Sequence, residues 1–271
     1  MSSNPRSSIR GALVNESSWV IQRRVIGALL LRELLTRYGR NNIGFFWLFV
    51  EPMLFVLVVM AFWTATRDIH GSDLPIAAFA LTGYSSVLLW RNMPSRCIGA
   101  LKSNLSLLHH RQVTIMDIYF SRILLEIMGI SISFVTLAVV LSFVELVLPP
   151  EDLMQVLSGW MLVAWFGAGL GLTIAGLSEK IEVVGNLWAP FSYILFPLSG
   201  AAFIVDALPQ KMQEIVLYLP MLNGVEVLRE GWFGSAMHAH YDIGYTVLCN
   251  IGLTFLGLTL VRQVGVDTSS E

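Results

Sequence analysis

Apolar runs of about 20 residues constrain this chain most, because that is the helix length needed to cross about 30 Å of hydrocarbon. They fall at residues 45–66, 75–95, 123–147, 154–177, 184–205 and 243–262. The 75–95 run is the least clean, since it contains Arg91. In lipid every backbone N–H and C=O must be satisfied within the protein, so runs of this length predict helices. The chain is 55% hydrophobic and only 13% charged, whereas a typical soluble domain is about 25% charged. The expected fold is all-α, an integral membrane protein with six transmembrane helices per subunit.

Orientation follows from where lysine and arginine lie along such a chain. Seven arginines, from Arg6 to Arg40, precede the first run. Arg91, Arg96, Lys102, Arg111 and Arg122 lie in or beside the second connection, and Lys180 and Arg262 fall on the same side. Of the 17 Lys and Arg, only Arg67, Lys211 and Arg229 fall on the other. Both termini are therefore expected in the cytoplasm. Residues 1–17 are polar, without the apolar core of a cleavable signal, and read as a disordered cytoplasmic tail. Residues 18–44 read as an amphipathic interface helix, 45–262 as the transmembrane domain and 263–271 as a second cytoplasmic tail.

On a helical wheel Arg32, Glu33, Thr36, Arg37 and Arg40 share one face, and Leu30, Leu31, Leu34, Leu35 and Tyr38 share the other. Such a helix lies in the headgroup plane, its leucines toward the lipid and its arginines among phosphates or against protein. Residues 206–242 are too polar to span and too apolar for an ordinary loop. Short re-entrant or interfacial helices fit them, covered by protein or lining a cavity.

Several chemistries are missing. No Lys follows a Gly, so there is no phosphate-binding G-x-x-x-x-G-K-[ST] loop. Any ATP hydrolysis would belong to a partner chain, and this chain is not expected to be an enzyme. No metal-spaced cluster of ligands appears, and Cys97 and Cys249 stand alone. Gly167-Ala168-Gly169-Leu170-Gly171 lies within an apolar run and suits close helix packing. Glu51, Arg91 and Glu126 are ionisable groups within apolar runs, which are costly and predict a partner. Arg91 is expected to pair with Glu51 or Glu126 at similar depth, either fixing packing or acting in a gate. Glu226, Arg229 and Glu230 fall at helical spacing and predict a local ion pair or an external exit. His109 and His110 read as solvated or docking residues rather than catalytic ones.

The run from Arg32-Glu33-Leu34-Leu35 through Thr36-Arg37-Tyr38-Gly39-Arg40, then Gly44, Trp47, Glu51 and Pro52, resembles the start of ABC-2-type permeases for polysaccharide export. Asn104 to Leu108, Asp117, Arg122, Leu125-Glu126, and Leu219 to Glu226 with Arg229 are similar to the capsular polysaccharide export permeases of Gram-negative bacteria. The segment Leu108-His109-His110-Arg111-Gln112 departs from that pattern, which carries a proline there.

The resemblance implies an inner-membrane homodimer bound to two ABC ATPase subunits. Those subunits would bind ATP and Mg, and this chain would carry no cofactor. The expected cargo is a lipid-linked acidic polysaccharide, guided by Arg32, Arg37 and Arg40 with Tyr38 and Trp47. Guanidinium groups suit that task through paired hydrogen bonds to phosphate and carboxylate. Aromatic faces stack on sugar rings, so Trp165, Trp188, Tyr193 and Phe196 are candidate canal residues. Asn104, Leu105, Leu108, Asp117 and Lys180 are candidates for coupling to the ATPase, and Glu226 and Arg229 for an external gate. A periplasmic co-polymerase or adaptor, an outer-membrane channel and membrane lipid are the other expected partners, with no nucleic acid. O-antigen or teichoic-acid export is the close alternative. A transferase acting on lipid-linked sugars, using external acids such as Asp206, Glu214 and Asp242, is the alternative of a different class.

Overall fold

The computed structural model describes residues 18–39, 44–66, 74–108 and 113–270, so Arg40, His109 and His110 lie outside the described residues. Within them the chain is helical, without strands. The helices are α1 (Ser18–Tyr38), α2 (Gly44–Thr66), α3 (Ile76–Cys97), α4 (Leu105–Leu108), α5 (Ile115–Phe143), α6 (Leu153–Lys180), α7 (Glu182–Leu198), α8 (Gln210–Val216), α9 (Pro220–Phe233) and α10 (Ile243–Ser270). Single 3₁₀ turns interrupt the connections at Lys102–Asn104, Val205–Ala207 and Gly234–Ala236.

By length and composition, α2, α5, α6 and α10 contain segments able to cross a membrane. The two other expected spans differ for separate physical reasons. Helix α3 is buried nearly all round, so protein rather than lipid surrounds its polar groups. Its Thr82 and Ser86 hydroxyls donate to the carbonyls of Ala78 and Thr82, at 2.8 and 2.6 Å, the usual way such residues are satisfied inside a helix. Helix α7 is short: the expected span at 184–205 ends at Leu198. Gly200 follows with φ of 78°, the left-handed conformation that glycine adopts just past a helix end.

Helix α6 is the hub, and glycines set its distances to three neighbours. Side by side with α3, its Gly167 faces the Cα of Trp90, where a Cβ would come within 2.8 Å. Against α10, Gly169 faces Leu253 and Thr254, and Gly176 faces Leu260. Gly257 of α10 faces Leu172 in return. These pairs keep a nearly constant offset, so α3, α6 and α10 run in the same direction. Helix α9 runs the opposite way along the first half of α6: Gly231 meets Val156, Leu228 meets Gly159, and Gly224 meets Val163. The expectation of close packing at Gly167 to Gly171 is thus met by backbone-near contacts on two sides of one helix.

Helix α5 begins at a capping box. The Asp117 amide donates to Thr114 Oγ1 at 3.3 Å, and the Thr114 amide donates back to the Asp117 carboxylate at 2.8 Å. Helix α7 lies antiparallel along α3, from Gly185 beside Ile98 to Ala201 beside Gly83. About ten residues of α3, from Ile76, therefore extend past the last residue of α7, about 15 Å of helix.

Candidate functional site

Charged side chains gather where α1, α5 and the 96–104 connection meet, at the end of the bundle with most of the arginines. Glu126 of α5 is 4% exposed. It accepts from Arg37 of α1 at 2.5 Å and from Arg96 at 3.0 Å. Arg37 also meets Glu33 one turn back, at 2.9 Å. Glu33 in turn receives Arg122 of α5 at 3.2 Å. Arg122 donates to the Arg96 carbonyl at 2.7 Å and to Ser103 Oγ at 2.9 Å. Arg32 donates to Asn104 Oδ1 at 2.5 Å. Nearer the start of α1, Gln22 donates to Asp117.

Helix α1 is therefore fastened to α5 and to the connection by its polar face. Of the two settings that the wheel allowed, phosphates or protein, Arg32 and Arg37 occupy the second. Burial pulls the basicity of Arg37 down, but Glu126 and Glu33 outweigh it, and the guanidinium stays above its ordinary pKa. Leu31 and Leu35 remain exposed on the outer side of α1. Tyr38 is half-buried close to the same charges, and Trp47 on α2 is exposed. Gln22 and Arg96 were not singled out from sequence. The i,i+4 pairs Glu33/Arg37 and Arg122/Glu126 are visible in one dimension, but the cross-partners are not.

Among the expected coupling residues, Asn104 and Asp117 join this network, and Leu105 is exposed beside it. Leu108 packs against the core. Lys180, at the end of α6, donates to Gln263 of α10.

The pairing expected for Arg91 is corrected. Arg91 donates to Ser192 Oγ of α7 at 3.2 Å and lies 4.2 Å from the Tyr193 ring centroid. Glu126 is taken by Arg37 and Arg96, and Glu51 is exposed on α2. Equal depth does not bring Arg91 to these carboxylates, because its side chain reaches α7 instead. Helix α2 also continues through Pro52 to Thr66.

At the far end of the bundle Arg229 of α9 is fully buried. Its guanidinium donates to the carbonyls of Gly200, Phe203 and Ala201 at 2.6, 2.9 and 3.4 Å. It lies 3.9 Å from the Phe79 ring centroid. These carbonyls belong to the segment where α7 has ended, so the arginine supplies the donors that the helix no longer does. A Cβ on Gly83 would come within 2.4 Å of this guanidinium, so glycine leaves the space for it. Glu226 accepts from the His240 amide at 3.3 Å. Glu226 and Arg229 are both buried and feel each other's charge without a direct ion pair among the described residues. Glu230 receives the Tyr241 hydroxyl at 2.6 Å, and this bond raises the tyrosine's pKa.

The expected canal aromatics do not form one surface. Trp188 is buried, donating to Ser95 Oγ at 2.9 Å. Phe196 packs on Tyr84, and Tyr193 is exposed under Arg91. Trp165 instead faces α10, donating to Thr254 Oγ1 at 2.9 Å. Among the described residues no group of His, Cys, Asp and Glu is placed to hold a metal.

Residues 24–233 match the ABC-2 type transporter family, and the chain belongs to it. It is 45% identical over 255 residues to the capsule polysaccharide export inner-membrane protein CtrC of Neisseria meningitidis serogroup B, covering 93% of this chain and 96% of that one. It is 42% identical to the capsule polysaccharide export inner-membrane protein BexB of Haemophilus influenzae, over 92% and 94% of the two chains. The polysialic acid transport protein KpsM of Escherichia coli is 22% identical, over 91% and 95%.

Proposed function

We propose that this ABC-2 family member is the membrane-spanning permease subunit of an ATP-driven exporter of capsular polysaccharide in a Gram-negative inner membrane. The observation that carries the reading is identity of 42–45% along more than nine-tenths of the chain to inner-membrane capsule export proteins. The chain contributes a passage and its movement, while ATP and Mg belong to a partner ATPase. Two copies of each subunit make the working assembly, and the cargo is a lipid-linked acidic polymer. Helices α2, α3, α5, α6, α7 and α10 are the six crossings. Helix α1 lies at the cytoplasmic interface with both termini on that side, as the lysine and arginine distribution supports. A periplasmic adaptor and an outer-membrane channel carry the polymer onward.

The charge network suggests how ATPase movement reaches the membrane. A push on the 98–117 connection is transmitted to α1 through Asn104 and Arg32, and to α5 through Asp117. Glu126 joins α1 to α5 at the point where α5 turns into the bilayer. Helix α1 and the start of α5 then move as one body. Arg32, Arg37 and Arg40 lie on the side where the polymer is taken up, with Arg37 exchanging a carboxylate partner for one on the cargo.

Co-expression with the neighbouring ABC ATPase tests the assembly. A complex with two of each subunit, and restoration of capsule in a strain lacking its own permease, are the expected results. A folded chain that captures no ATPase and restores no capsule would overturn the reading.

A further inference from the structure

A groove runs between α5 and α10 over the surface of α6. Its inner stretch has a volume of about 340 Å³ and is lined by Phe120, Leu124 and Ile127 of α5, Trp165 of α6 and Leu258 of α10. Trp165 and Thr254, joined by a hydrogen bond, line the same stretch. Met116 and Leu258 also line a wider opening of about 940 Å³ at the arginine-rich end, with Leu108, Val113, Val261 and Arg262. From Ile115 to Ile127 the groove follows about 18 Å of helix, close to one leaflet of an about 30 Å hydrocarbon core.

Charge separates this groove from the other apolar surfaces of the bundle. Among the described residues no carboxylate lines either stretch. Arg262 is exposed at the opening and makes no hydrogen bond or ion pair among the described residues. Lys180 is held beside it through Gln263. An apolar slot one leaflet deep with a cationic mouth has the shape and charge of an anionic phospholipid: an acyl chain inside, a phosphate at the arginine. A polar or cationic ligand would leave the slot empty, and a zwitterionic lipid would bring its own ammonium to compete with the arginine for the phosphate.

We propose that this α5–α6–α10 groove binds an anionic phospholipid of the surrounding leaflet, with its headgroup at Arg262. The occupant is bulk membrane lipid rather than the lipid end of the cargo, so it is retained in cells that make no capsule. The inference rests on the membrane-embedded reading, but it does not require that capsular polysaccharide be the cargo.

Native mass spectrometry tests it on the full-length permease, purified in detergent from cells without capsule genes and titrated with phosphatidylglycerol or phosphatidylethanolamine. One tightly retained phosphatidylglycerol per chain is expected, in preference to phosphatidylethanolamine. Arg262→Gln should weaken phosphatidylglycerol roughly fivefold, the size of one basic side chain's attraction to an anionic headgroup, and weaken phosphatidylethanolamine by less. Ala168→Phe, which fills the floor of the slot, should displace both lipids. Equal retention of the two lipids by the unsubstituted chain, or retention untouched by either substitution, would overturn the proposal. Because binding is read apart from export, a lipid result and a capsule result can fail independently.

Discussion

Arg37 and Arg229 are both withdrawn from solvent, yet they are neutralised in opposite ways. Arg37 meets two carboxylates that belong to two helices, Glu33 on its own and Glu126 on α5. Arg229 meets three carbonyls from one short stretch of backbone and the face of Phe79. Ion pairs between separate helices can be exchanged one at a time, so the first arrangement suits a joint that transmits movement. Carbonyls freed by a helix end have no other donor nearby, so the second fixes a shape. The arginine-rich end is held by ion pairs between helices, and the far end by a clamp on backbone carbonyls.

The clamp gives the largest expected effect. Arg229→Leu leaves three carbonyls without their donor, at a cost of about 1–3 kcal/mol for each buried group left unpaired. Folded protein recovered from membranes, read by fluorescence-detected gel filtration, should fall to a small fraction of the unsubstituted level. A normal yield and melting temperature would show that the end of α7 holds without Arg229.

The joint should respond differently. Breaking a buried ion pair costs about 3–5 kcal/mol, but Arg96 is 37% exposed, and water replaces part of what Glu126 supplied. Glu126→Gln should therefore leave folded, ATPase-bound permease while capsule export drops severalfold. In a double-mutant cycle on melting, Arg37→Gln and Glu126→Gln should depart from additivity by about 1 kcal/mol. Additive behaviour would dissolve the joint and remove the contrast with Arg229.

Arg91 gives the smallest effect. Its cation–π contact with Tyr193 is worth about 0.5–1 kcal/mol at an exposed position. Arg91→Gln and Tyr193→Leu should couple by that amount on thermal melting, while Arg91→Gln and Glu51→Gln should add. The reverse pattern would restore the carboxylate pairing anticipated from depth.

These contrasts mark what a sequence conveys. The apolar runs were legible because spanning length and satisfied backbone leave few alternatives. The glycines of α6 were legible as packing residues, but the start of α5 was not: the apolar run from 123 masked the capping box of Thr114 and Asp117 upstream of it. The partner of Arg91 was not. Counting residues gives height along a helix, but each residue turns by about 100°, and direction depends on which helices are adjacent. Helix α3 was doubtful for the same reason: a polar run looks unfit for lipid until its neighbours are known to enclose it. The early end of α7 had a local sign in Ser199-Gly200, but the apolar residues after it masked the stop. Arg32 and Arg37 were correctly placed on one face, yet their neighbour across that face was open between phosphate and protein.

The end of α7 has one more consequence, in terms of what passes beside it. A helix presents roughly half a negative charge at its carbonyl end. Left bare, the terminus near Gly200 would set a repulsive potential against any anion approaching it. The guanidinium of Arg229 lies against carbonyls just past that end and offsets part of that potential. The same arginine that holds the backbone in place thereby makes this end of α7 less repellent to negative charge.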